Sequence, residues 1–179
     1  MVPTLQRNDV LLVNEFEYRL HAPQRGDIVV FTPPVASPTD FIKRVVAIPG
    51  DTLRITNGIV YVNGKPMDEP FVSDPAAYDL RVGNYGISVD YGSGARQLSP
   101  AQADIPPRAD WAAPDRIPAG FYFVMGDNRN DSDDSHMWGF AQLHGPFAAG
   151  PLAGTRATAQ FRGRAFLLLW PLNRLRILH

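Results

Sequence analysis

Lys43 lies in a setting that can make a lysine chemically unusual. Its surroundings, residues 41–48 (FIKRVVAI), have the length and composition of a β-strand. Burial penalises an ammonium group and lowers its pKa from about 10.4 by up to ~3–5 units. A buried Lys43 can therefore hold a neutral amine that accepts a proton from a serine hydroxyl and acts as a general base. The alternative is a surface lysine on the solvent side of an amphipathic strand, the more frequent case for lysine.

A polar stretch, residues 126–139 (GDNRNDSDDSHMWG), is the second candidate site. Its acidic and amide residues suggest a calcium loop, but the helix–loop–helix template requires Asp or Asn third, Gly sixth and Glu twelfth. Counted from Asp127, those positions hold Arg129, Ser132 and Trp138, so this interpretation is excluded. A solvated turn cluster is the remaining simple alternative. It does not account for an arginine and a tryptophan in the same window.

The composition favours a mainly β protein. The 179 residues include 17 prolines and 15 glycines, too many for a helix bundle, because proline breaks helix interiors. A formal net charge of −1 gives no support to a nucleic-acid partner. The absence of cysteine excludes disulfides and a thiolate nucleophile. The histidines lack metal-ligand spacing, and we expect no cofactor.

Short strands must position Lys43 and the polar stretch. Apolar segments predict strands at residues 10–13, 28–31, 41–48, 120–125, 155–161 and 165–170. The dipeptide Asn57-Gly58 predicts a β-hairpin between residues 52–56 and 59–62, because both residues of such a turn need positive φ. The pattern weakens after residue 66. We predict a core in two parts, residues 1–66 and 115–179, with an irregular, β-rich inserted lobe at residues 67–114.

Three stretches, in order, resemble the sequence boxes of the type I signal peptidases, a family of Ser/Lys proteases. Residues 1–5 (MVPTL) resemble a box in which a serine precedes Met-x-Pro-Thr-Leu, and residues 41–51 resemble the lysine box. Residues 126–139 resemble the last box, with His136 where the family has arginine, and residues 25–31 resemble a linking box. The resemblance implies antiparallel sheets forming a catalytic core.

The resemblance also implies roles for the matched side chains. Lys43 would be the general base, and Ser132 would hydrogen-bond its amine and orient it. Two pairs would brace the loop that carries Ser132: Asp127 with Arg44, and Asp134 with His136. Arginine carries a permanent charge, whereas histidine offers one donor at a time and changes charge near neutral pH. We therefore expect a weaker, pH-sensitive brace at position 136.

The implied substrates are extended signal peptides of exported preproteins, cleaved after small residues in an Ala-x-Ala pattern. Such a peptide would add as a strand to one wall of a cleft. The residues expected to contact it are Asp40, Phe41, Ile42, Met1, Val2 and Pro3. The intact protein would lie at a bacterial cytoplasmic membrane, held by an upstream anchor, with its catalytic domain on the outer face.

The family's nucleophilic serine directly precedes the methionine that here is residue 1. We therefore expect the chain as given to be soluble and unable to cleave signal peptides. One hypothesis is a start assigned too late or a truncation, and the other is a true pseudoenzyme. Two alternative functions remain: a self-cleaving repressor-type peptidase and a non-catalytic peptide-binding β-domain. The first usually carries a DNA-binding helical domain and lacks the long Gly-Asp-Asn-Arg box.

Overall fold

A computed structural model describes residues 1–33, 37–98, 105–142 and 160–179. Within these ranges the protein is mainly β, which confirms the predicted fold class. The two α-helices, α1 and α2, have four residues each, and no described helix is long and apolar enough to cross a membrane.

The first part of the chain contains β1 (Val10–Asn14), α1 (Glu17–Leu20), β2 (Ile28–Thr32), β3 (Phe41–Ala47), β4 (Leu53–Thr56), β5 (Ile59–Val62) and β6 (Lys65–Pro66). The remainder contains β7 (Asp79–Gly83), β8 (Gly86–Asp90), β9 (Ala95–Leu98), a 3-10 turn (Arg108–Asp110), β10 (Phe121–Met125), α2 (Ser135–Trp138), β11 (Ala141–Gln142), β12 (Gln160–Trp170), a second 3-10 turn (Leu172–Arg174) and β13 (Arg176–Ile177).

The first sheet has the strand order β1-β12-β11-β10-β3-β2, with β13 also paired to β12. Because β2 pairs with β12 as well, five strands form a closed ring, which leaves few open edges. All pairings in this sheet are antiparallel except that between β11 and β12. Aromatic and β-branched side chains from the ring strands pack together as one core cluster: Val29, Phe31, Val45, Tyr122, Val124 and Phe161.

The second sheet has the order β6-β5-β4-β7-β8-β9 and is antiparallel throughout. The predicted hairpin is present: β4 pairs with β5, and Asn57 and Gly58 have φ values of 51° and 77°. Strands β7 to β9 are more regular than the sequence indicated, and β7 pairs directly with β4. Hydrogen bonding therefore continues across the predicted border at residue 66.

One apolar cluster joins the two sheets. It combines buried side chains of β3 and β10, such as Val46 and Phe123, with those of the second sheet, such as Leu53 and Ile87. Each of these four side chains is at most 2% exposed. This continuous packing fixes the orientation of β3 and β10, the two strands that carry the candidate site.

Two strand predictions need correction. The stretch at residues 10–13 is not a buried strand, because β1 lies at the end of the strand order beside β12 and leaves Val10 48% exposed. The separate strands predicted at residues 155–161 and 165–170 are wrong where they can be compared, because β12 runs unbroken from Gln160 to Trp170. Residues 155–159 lie outside the described ranges. The polar sequence Arg162-Gly163-Arg164 suggested a break, but its arginines pair with carboxylates on other elements.

Candidate active site

Strand β3 and the loop after β10 bring together two residues that are 89 positions apart. Lys43 Nζ donates a hydrogen bond to Ser132 Oγ over 3.0 Å. The loop begins at Gly126, directly after β10, and β10 pairs with β3 as far as Arg44. A Cβ atom on Gly126 would overlap the Ser132 side chain. Glycine at this position therefore lets the loop carry Ser132 up to Lys43.

Lys43 is half-buried, and burial lowers the pKa of its ammonium group below the usual lysine value. Four carboxylates oppose this effect by attracting the charged form, in the order Asp134, Asp133, Asp127 and Asp131. Desolvation prevails, so Lys43 releases its proton more readily than an exposed lysine. The site thus supplies an amine that is partly neutral at a lower pH than usual, next to a hydroxyl group.

Asp134 lies beneath Ser132 and is fully buried. Its carboxylate accepts hydrogen bonds from the backbone N–H groups of Gly126 (2.8 Å) and His136 (3.1 Å), and contacts His136 Nδ1 at 2.7 Å. Burial alone would raise the pKa of Asp134, but hydrogen bonds from His136, Ser132 and Gly126 hold that pKa below its usual value. Ser132 therefore lies close to the Asp134 carboxylate as well as to the Lys43 amine.

Arg44 and Asp127 form a buried ion pair beside Lys43. The guanidinium binds both carboxylate oxygens at 2.9 Å, and the two side chains are 2% and 0% exposed. The hydroxyl of Thr4 also donates to Asp127, which ties the amino-terminal segment to the same pair. Arg44 additionally donates to the carbonyl of Gly26 at 2.9 Å. The pair therefore links β3 and the loop after β10 to the amino-terminal segment and to the chain at Gly26.

The Met1 end of the amino-terminal segment lies close to the Lys43 amine. The pKa of the Met1 amino group is lowered, first by burial and next by repulsion from the Lys43 charge. The Met1 side chain packs in the same apolar cluster as Ile42, and its carbonyl accepts a hydrogen bond from Leu5. A residue attached in front of Met1 would therefore lie near the Lys43–Ser132 pair. Val2 and Pro3 are exposed.

One edge of β3 is open next to Lys43. Residues Phe41 to Lys43 pair with β2 on one side, but the pairing with β10 on the other side stops at Arg44. In the described part of the chain, no strand covers the second edge over these three residues. Asp40, just before β3, is held by Thr32 at 3.1 Å and by Arg162 at 2.7 Å. The open edge offers backbone groups to an added strand.

Residues 69–78 hold the loop from its other side, and sequence reasoning missed them. Glu69 binds Arg129 at 2.5 and 3.1 Å, and Arg129 is 1% exposed. The ring of Tyr78 stacks on His136 at 4.6 Å between centroids. Nothing in the sequence pattern identified Glu69 as the partner of Arg129.

The described residues contain no group of three or more His, Asp or Glu arranged to hold a metal ion. Three features of the described site can take part in chemistry. Those are an amine of lowered pKa, a hydroxyl that fixes it and an open strand edge beside both.

Fold and site together define a mainly β domain built around a partly buried Lys–Ser pair. The family model described as signal peptidase, peptidase S26, matches residues 1–166. The chain belongs to this family, which confirms the family assignment from the three boxes.

Individual relatives agree with this assignment. The chain is 36% identical to the probable signal peptidase I-2 of Synechocystis sp., over 99% of this chain and 62% of the relative. It is 34% identical to the signal peptidase I of Pseudomonas aeruginosa, over 96% of this chain and 62% of the relative. It thus spans 62% of the length of each of these two relatives. The crystal structure of a signal peptidase I from Enterococcus faecalis is 27% identical, with a TM-score of 0.42, and the match covers 68% of this chain and 91% of that one.

Proposed function

We propose that this chain is the catalytic domain of a serine endopeptidase that removes amino-terminal signal peptides from exported preproteins. The observation that carries the proposal is the hydrogen bond between the half-buried Lys43 amine and Ser132. Burial lowers the pKa of Lys43, which is what a lysine needs to serve as a general base. The nucleophile of this proposal is a serine attached directly before Met1. A chain extended upstream to include it is called the Ser-extended chain below.

In the proposed reaction, neutral Lys43 takes the proton from the hydroxyl of that serine as its oxygen attacks the carbonyl carbon of the scissile bond. The resulting Lys43 ammonium then gives its proton to the departing amine, which leaves an ester between the serine and the signal peptide. A water molecule, deprotonated in turn by Lys43, attacks the ester carbonyl carbon. The Lys43 ammonium returns that proton to the departing serine oxygen, and the signal peptide leaves with a new carboxyl group. Ser132 keeps the amine directed at the reacting oxygen throughout, as the third member of a catalytic triad does.

The open edge of β3 supports an extended peptide as the substrate. Backbone groups of Phe41, Ile42 and Lys43 can pair with a peptide strand, which gives affinity without reading its sequence. Side chains that project from the bound strand would meet the surfaces of Phe41 and Ile42. Specificity for small residues in an Ala-x-Ala pattern is part of the proposal, and rests on the family resemblance.

For the whole protein we propose a location at a bacterial cytoplasmic membrane, with this domain on the outer face. Family membership supports this, and so does the surface of the described residues. Large apolar side chains are exposed on neighbouring strands and their connections: Val10, Leu12, Trp170, Leu172, Leu175 and Ile177. Such a surface suits contact with lipid close to where a preprotein emerges.

Ser132→Ala is expected to lower kcat of the Ser-extended chain by about 100-fold, because a base that is no longer held in position loses roughly that much. KM should change little, since Ser132 orients the base and lies off the open edge of β3. The measurement is steady-state cleavage of a peptide with an Ala-x-Ala site. Ser73→Ala, which removes an exposed hydroxyl, is the matched control and should retain full activity. Full activity of Ser132→Ala would rule out a role for Ser132 in orienting the Lys43 amine.

A further inference from the structure

Two hydrogen-bonded pairs lie next to each other between the candidate base and residue 136. Lys43 bonds to Ser132 at 3.0 Å, and Asp134 contacts His136 Nδ1 at 2.7 Å. Ser132 lies near enough to Asp134 to help lower the pKa of that carboxyl. Asp134 is fully buried and His136 is 6% exposed, so water screens the charge of this pair only weakly. The charge of the pair is therefore felt at Lys43.

We propose that residue 136 sets how tightly Lys43 holds its proton, through the net charge of the buried Asp134–His136 pair. The inference rests on the proposed function of Lys43 as the general base. His136 would act on Lys43 through its charge, with Asp134 and Ser132 lying between the two side chains. It also concerns the position at which this chain departs from the family pattern.

The physical reason is the attraction between a carboxylate and an ammonium group. After burial, which lowers the pKa of Lys43, Asp134 has the largest influence on it and raises that pKa. Arginine at position 136 would always be charged and would cancel most of the negative charge on Asp134, whereas histidine does so only while it is protonated. With histidine, Lys43 therefore keeps its proton to a higher pH than it would with arginine.

The two described aromatic rings that lie against His136 are uncharged tyrosines. The His136 ring stacks on Tyr78 and lies 6.3 Å from the ring of Tyr91, and burial raises the pKa of both phenols, so both stay neutral near neutral pH. Within the described ranges, the charged groups that act on this cluster are Asp134, Arg129 with its partner Glu69, and Arg96. Asp134 is the one that bonds to His136.

The test uses the chain as it stands and needs no cleavage. The sequence contains two lysines, Lys43 and Lys65, so lysine labelled with ¹³C at Cε gives two resonances whose shifts follow deprotonation. Parent, H136R and H136Q are titrated side by side. Glutamine can donate a hydrogen bond to Asp134 but carries no charge. The Lys43 midpoint should move to lower pH in H136R and stay with the parent in H136Q.

Lys65 is exposed on β6 and serves as the internal control, since its midpoint should be the same in all three proteins. His21→Arg adds the same charge at an exposed position and should leave Lys43 unmoved. Thermal unfolding checks each fold. If H136R does not fold, H136K places a positive charge there on a slimmer side chain.

Two results would overturn the inference. One is a Lys43 titration midpoint in H136R that equals the midpoint in the parent. The other is a shift of that midpoint by the same amount in H136R and in H136Q. In the Ser-extended chain, H136R should also shift the acid limb of the pH–rate profile to lower pH and raise the cleavage rate severalfold at neutral pH. If the Ser-extended chain cleaves nothing, the proposed function fails. The titration of Lys43 tests the inference whether or not the Ser-extended chain cleaves a peptide.

Discussion

Lys43→Ala is expected to lower kcat/KM of the Ser-extended chain by about 10³- to 10⁴-fold. Removing a general base costs roughly 10² to 10⁴, and the upper part is expected here because Lys43 is the amine that Ser132 orients. The rate of the unmutated Ser-extended chain should rise with pH as Lys43 loses its proton. Since burial lowers the pKa of Lys43, that rise should occur below the pH at which exposed lysines titrate.

Lys65→Ala is the matched control, because it removes the other lysine from an exposed strand of the second sheet. Its activity should equal that of the parent. Cleavage that survives Lys43→Ala would rule out Lys43 as the base. A Ser-extended chain that binds an Ala-x-Ala peptide without cleaving it would instead favour the non-catalytic peptide-binding function.

Asp127→Asn is expected to destabilise the domain by about 3–5 kcal/mol, the range found when one partner of a buried ion pair is removed. The substitution leaves the Arg44 charge 2% exposed and without its carboxylate. It also weakens the bond to Thr4 and so loosens the amino-terminal segment. Urea unfolding followed by tryptophan fluorescence measures the loss as a lower midpoint at unchanged slope.

Asp131→Asn changes the same chemical group on the same loop at an exposed position, so it should stay within about 0.5 kcal/mol of the parent. A similarly small effect of Asp127→Asn would mean that the carbonyl groups bound to Arg44 suffice to hold it. In that case the pair would not be what holds the amino-terminal segment at the site.

Local signals in the sequence predicted the local structure well. The Asn57-Gly58 turn fixes the register of β4 and β5, because both residues adopt the positive φ that this turn demands. The apolar stretch around Lys43 forms β3 with nearly the predicted bounds. Local patterns could not predict the contact between Lys43 and Ser132, because these residues are 89 positions apart. It was expected only because the boxes resembled those of a known family.

The partners that hold the site come from distant parts of the chain and carry weak signals. Glu69 and Tyr78 lie in a stretch whose sequence looked irregular, yet they bind Arg129 and stack on His136. Thr4 carried no sign that its hydroxyl bonds to Asp127. The polar segment within β12 looked like a break, because its arginines find carboxylates only in the folded protein. Tertiary contacts decide all of these features, and periodicity does not report them.

The proposed function depends on an amine at position 43 that loses its proton at a lower pH than an ordinary lysine. The most direct measurement is the ¹³Cε titration of the two lysines in the unmodified chain, with Lys65→Arg to assign the resonances. We predict that Lys43 titrates at a clearly lower pH than an exposed lysine, and that Ser132→Ala alters its chemical shift. Two lysines that titrate together, both at the ordinary value of about 10.4, would contradict it.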